Sequence, residues 1–156
     1  MILFMFTSLS SGTDLQEVRK LYIDAAVSKE NMLKFSKMVE DYSGTNTTLT
    51  AYKAAALTLK AKFSTDFSQK KKLFTEGASL LEETLKKDAS NAEIRMIRLS
   101  IQENAPKIVK YSDKKEEDKA FLLKNYNKQN SEVQFVLKQF VKQSASFTDE
   151  ERKKLQ

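Results

Sequence analysis

Apolar positions recur at helical spacing along nearly the whole chain. Leu15, Val18, Leu21, Tyr22, Ala25 and Ala26 are separated by steps of three and four residues, so one face of a helix carries them. Thr13, with Gln16 three residues on, has the form of a capping box and predicts where that helix begins. A second helix is expected from about Ser28, with Met32, Phe35, Met38, Val39 and Tyr42 inward, until Ser43-Gly44-Thr45-Asn46 breaks it. The third, from about Thr47 to Phe63, is rich in alanine (Ala51, Ala54, Ala55, Ala56, Ala61). Small side chains let a neighbouring helix approach closely, which makes this the candidate for the most buried helix. A fourth runs from about Phe67 to Lys87 and holds Gly77 in its interior, a residue that costs a helix about 1 kcal/mol relative to Ala. A close helix crossing at Gly77 accounts for it.

The same reading continues to the C-terminus. Ser90 with Glu93 predicts a second capping box, opening a helix with Ile94, Met96, Ile97, Leu99 and Ile101 that stops before Pro106. Ser112 is expected to cap a helix whose acidic first turns (Asp113, Glu116, Glu117, Asp118) suit the helix dipole. Ser131 opens the next, with Val133, Phe135, Val136, Leu137, Phe140 and Val141, and Thr148 with Glu151 caps a short last one. No β-alternation of useful length competes. The expected fold is all-α: seven to eight helices in antiparallel hairpins, forming either a tetratricopeptide-like array or an irregular helical bundle. Residues 13–156 make one domain of it.

Residues 1–12 are different. Met1 to Leu9 is apolar and Ser10-Ser11-Gly12 is small, a pattern that resembles the second half of a secretory signal peptide, with cleavage after Ser10 or Gly12. The expected location is therefore exported or periplasmic, and otherwise cytoplasmic. No Lys or Arg precedes the apolar run, so a short segment packed on the first helix is the alternative. Nine residues are too few to span a membrane.

Residues 73–99 carry a family resemblance. Gly77, Leu81 and Leu85, followed by Lys87-Asp88-Ala89-Ser90-Asn91-Ala92-Glu93, look like the second helix and exit turn of a tetratricopeptide repeat. Ala89 stands where that family usually has Pro, Thr84 where it has Ala, and the Trp and Leu-Gly pair of its first helix are missing. The connection between the third and fourth helices also reads as longer than a standard repeat has. The resemblance implies a scaffold with a concave surface for a peptide or protein segment. In general pattern the chain is also similar to small uncharacterised exported helical proteins of bacteria, which implies no particular activity.

Composition narrows the chemistry. The 156 residues contain no His, Cys or Trp, which removes imidazole catalysis, Cys–His pairs, thiolate or imidazole zinc sites and disulfides. Net charge is +6, but 23 of the 27 basic residues are Lys and they are spread along the chain. Specific base readout and bidentate phosphate binding favour Arg, so nucleic acid is an unlikely partner. The densest basic run is Lys70-Lys71-Lys72.

The acidic pairs Glu82-Glu83, Glu116-Glu117-Asp118 and Asp149-Glu150-Glu151 read as solvated helix turns, without the two separate environments that acid–base catalysis needs. Ser-x-x-Lys occurs at Ser68 and Ser112, the number that 15 Ser and 23 Lys produce by chance. No cofactor or metal site is expected.

Three functions remain. The first is a non-enzymatic module binding a protein or peptide, an acidic one among the candidates, with Tyr52, Lys53, Lys60, Arg95 and Arg98 as its groove. Arg95 and Arg98, three apart, share a helix face and could grip an acidic segment. The second is a small-ligand carrier or helical enzyme with a pocket between helices, for which a closed apolar cavity large enough for a ligand would speak. The third is a nonspecific binder of nucleic acid or anionic lipid through surface Lys. The sequence leaves the oligomeric state open.

Overall fold

Helices in this chain begin where a short polar side chain turns back onto the first free amides. The computed structural model describes residues 12–155. Among them are eight α-helices and no strand: α1 (Leu15–Asp24), α2 (Lys29–Val39), α3 (Thr47–Phe63), α4 (Phe67–Lys87), α5 (Ala92–Asn104), α6 (Lys115–Asn125), α7 (Ser131–Gln143) and α8 (Asp149–Lys154). Single 3-10 turns lie at Lys107–Val109 and Tyr126–Lys128. The fold is all-α, as expected. The expectation placed on residues 1–12 lies outside the described residues except for Gly12, which is exposed.

Several caps fall beside the residues expected. Asp14, not Thr13, caps α1, Asn91, not Ser90, caps α5, and Asn130 caps α7 one residue before Ser131. Adjacent Ser, Thr, Asn and Asp are almost equally good caps. The choice goes to the residue left in extended backbone once the apolar face is docked. Ser112 does not cap α6. Lys114 holds that position, and its N–H donates to the Gln102 side chain on α5 at 2.9 Å. Asn46, the acceptor position of an Asn-x-Thr sequon, caps α3. Thr148 and Glu151 do form the full capping box.

α3 and α5 form the middle of the molecule. Nine α3 residues are buried, including Ala51, Ala54, Ala55, Ala56 and Ala61, and α3 packs on α1, α2, α4 and α5. α5 also has nine buried residues and packs on α3, α4, α6 and α7. A helix with apolar residues on every side belongs in the interior. α1 also packs against α7, so the first helix meets the next-to-last one. The α3–α4 connection is residues 64–66, the span that the expected bounds at Phe63 and Phe67 leave between the two helices.

The expected close crossing occurs at Gly77. A Cβ there would lie 2.7 Å from the Ala54 carbonyl oxygen and 2.8 Å from Thr58 Cγ2. In an open helix Gly77→Ala would stabilise by about 1 kcal/mol. Here a backbone carbonyl stands in the way, so the sign reverses. A net loss of about 1–3 kcal/mol is expected, read as a melting temperature lowered by several degrees.

Candidate ligand cleft

Each of the five residues expected to line a peptide groove already has a partner within the chain. Tyr52 is fully buried on α3, and its hydroxyl donates to the Glu93 carboxylate on α5. Lys53 Nζ donates to the Tyr42 carbonyl at 2.8 Å, and Lys60 pairs with Glu40. Arg95 and Arg98 do grip an acidic segment, but it is α6 of the same chain. Arg98 holds both Asp118 oxygens at 2.7 Å and reaches Glu82 at 3.2 Å. Arg95 meets Glu117 at 2.9 Å and Asp118 at 3.0 Å, its guanidinium 4.4 Å from the Phe121 ring centre.

The acidic run is thus not one solvated turn. The Asp118 side chain is 0% exposed, whereas that of Glu116 is 84% exposed. Successive helical positions point about 100° apart, so three adjacent acids cannot share one environment.

A second buried cluster, unpredicted, joins α1, α3, α5 and α7. Arg19 forks onto Glu93 through Nε at 2.8 Å and Nη2 at 2.7 Å, and its Nη1 reaches Glu132 at 2.8 Å. The hydrogen bond to Glu93 raises the Arg19 pKa despite burial. Burial lowers that of Arg98, but Asp118 outweighs it, and the net shift is upward. Arg95 holds the Glu117 carboxyl below the usual range. Burial, helped by Glu93, holds the Tyr52 phenol well above its ordinary value, and burial with Glu82 does the same at Tyr111.

Three phenols therefore resist ionisation. Burial pushes Tyr22 up to about 12 from an ordinary 10.0, and Tyr52 and Tyr111 move the same way. Folded phenols keep protons that unfolded phenols lose, so this stabilisation is complete below about pH 10 and disappears as pH climbs through the folded values. Stability is expected to fall by about 1.4 kcal/mol per pH unit for each such tyrosine. Denaturant midpoints between pH 9 and 12, with phenolate absorbance followed in parallel, check it. Early ionisation of all five tyrosines would contradict it.

Since these polar clusters are saturated, the open space in the molecule lies elsewhere. A cleft of about 910 Å³ has α3 and α5 as its floor. Its walls come from the end of α1, the start of α4, the 3-10 turn at Lys107–Val109 and the last turns of α7. Ala55, Leu59, Phe74, Met96, Val136 and Phe140 make the lining largely apolar. Ser100, Asn104 and Gln139 supply scattered polar groups, and Tyr22 contributes a hydroxyl. Phe67 and Ile108, 69% and 76% exposed, stand where it opens to solvent. The small side chains of α3 that let α4 approach on one side leave room on the other. The sequence gives no spacing signal for such a space, since its lining comes from five helices.

No helix among the described residues is long and apolar enough to cross a membrane, and no group of acidic side chains there could hold a metal ion. Comparison with family models, curated proteins and solved structures finds no match to this chain.

Proposed function

We propose that the protein is a non-enzymatic carrier that holds a small apolar molecule in the cleft between α1, α3, α4, α5 and α7. The observation that carries this reading is the cleft's size together with its lining. About 910 Å³ falls in the range of ligand pockets, roughly 300–1,000 Å³, which are mostly apolar with a few polar groups. The likeness of residues 73–99 to a tetratricopeptide exit turn supports a hairpin scaffold around it, because α4 and α5 meet at that turn and both line the cleft. A peptide groove built on Tyr52, Lys53, Lys60, Arg95 and Arg98 loses support, since all five already have partners within the chain.

Calorimetric titration of the full chain with octanol, decanol and dodecanol tests the reading. One site per chain is expected, with each added methylene tightening binding about two- to fourfold. Ala26→Trp, at an exposed position of the cleft wall, is expected to weaken binding at least tenfold while helicity and melting stay unchanged. Absence of saturable binding to the unaltered chain would sink the proposal.

A further inference from the structure

The charged residues at the cleft narrow its ligand further; this step rests on the carrier reading and adds the head group. Lys62, Lys70 and Lys71 line the cleft, against a single acid, Glu103. Glu103 is already occupied, accepting hydrogen bonds from the Ser144 hydroxyl and the Ser146 N–H. Lys62 donates to the Ala26 carbonyl at 2.8 Å. The side chains of Lys70 and Lys71 make no hydrogen bond or ion pair among the described residues, whereas that of the next residue, Lys72, lies 4.0 Å from Glu76.

Their position is also electrostatically unfavourable for the chain alone. Both lie near the start of the 21-residue α4, where the Asp66 cap is acidic and the first turn adds no further acid. The positive end of a helix dipole disfavours cations. The densest basic run of the sequence is therefore placed beside an apolar cleft, with only Lys72 ion-paired among the described residues.

We infer that the ligand is a single-chain anionic amphiphile, a long-chain carboxylate, its alkyl chain in the cleft beside Phe74 and its carboxylate at Lys70 and Lys71. A carboxylate there draws on two ammonium groups without a side-chain partner, while the chain supplies apolar burial. Lys62 adds charge of the same sign.

The experiment compares decanoate, below its micelle concentration, with decanol on the full chain and on Lys70→Gln/Lys71→Gln. The expected result is decanoate binding about tenfold tighter than decanol to the unaltered chain. In the double variant the two should bind within twofold of each other, with decanol affinity and melting temperature unchanged. Equal binding of both ligands to the unaltered chain overturns the carboxylate inference and leaves the carrier reading standing. Equal loss of both ligands in the double variant also overturns it, since the lysines then shape the cleft instead of reading charge. Binding of neither ligand overturns the carrier reading itself.

Discussion

Asp118→Ala is expected to lower stability by about 3–5 kcal/mol, because it leaves the Arg98 guanidinium in the interior without its main partner. The Arg98 side chain is only 5% exposed, and both oxygens of Asp118 are committed to it. Glu82 at 3.2 Å and Glu117 at 3.4 Å offer partial compensation, which points to the lower end of that range. For a domain of this size the melting temperature should fall by roughly 10 °C. Replacing both partners at once, Arg98→Met with Asp118→Leu, removes the stranded charge along with its mate. Most of the loss should then be recovered. If the single and double variants melt alike, the cluster is not the source of the effect. Arg98→Ala carries the reciprocal fault, so a loss of partner binding in that variant reports unfolding before it reports a groove.

Glu93→Ala should be comparably damaging for a different reason. One carboxylate there serves Arg19 from α1 and the Tyr52 hydroxyl from α3, so its removal strands a cation and a phenol in three packed helices. Arg19 keeps Glu132, whose side chain is half exposed and correspondingly weaker as a partner. A loss of about 3–5 kcal/mol is expected, and Glu93→Gln should cost less because it still accepts hydrogen bonds. An internal control comes with the variant. Without Glu93 the Tyr52 phenol should ionise at lower pH than in the unaltered chain while staying above its ordinary value, since burial is the larger cause. Unchanged melting together with unchanged tyrosine titration would show that the cluster does not couple α1, α3 and α5.

The helices were legible because their apolar residues recur at helical steps, and the Ala-rich α3 and the crossing at Gly77 followed from side-chain size alone. The caps were legible only to the nearest residue, since neighbouring Thr13 and Asp14, or Ser90 and Asn91, are chemically equivalent candidates. The polar interior was missed, yet part of it had a signal. At 100° per residue Glu93 falls between Met96 and Ile97 on α5, so it has to be buried and needs a partner. Arg98 had none, because it falls in the arc that Ile94, Met96, Ile97, Leu99 and Ile101 leave open, and the partners of both come from other helices. The cleft was illegible for the same reason: five separated segments define it, and a void leaves no periodicity behind.

Thr58 stands at both ends of one chain of contacts. On one side its methyl is among the atoms nearest to Gly77, and on the other it lines the cleft. α4, which Gly77 seats against α3, also brings Lys70, Lys71 and Phe74 to the cleft wall. On the carrier reading, the missing side chain at Gly77 works as a shim of zero thickness behind the cleft wall. A Cβ there would press on the Ala54 carbonyl and on Thr58, so a change at this glycine would alter selectivity for ligand width through Thr58, a residue of the lining.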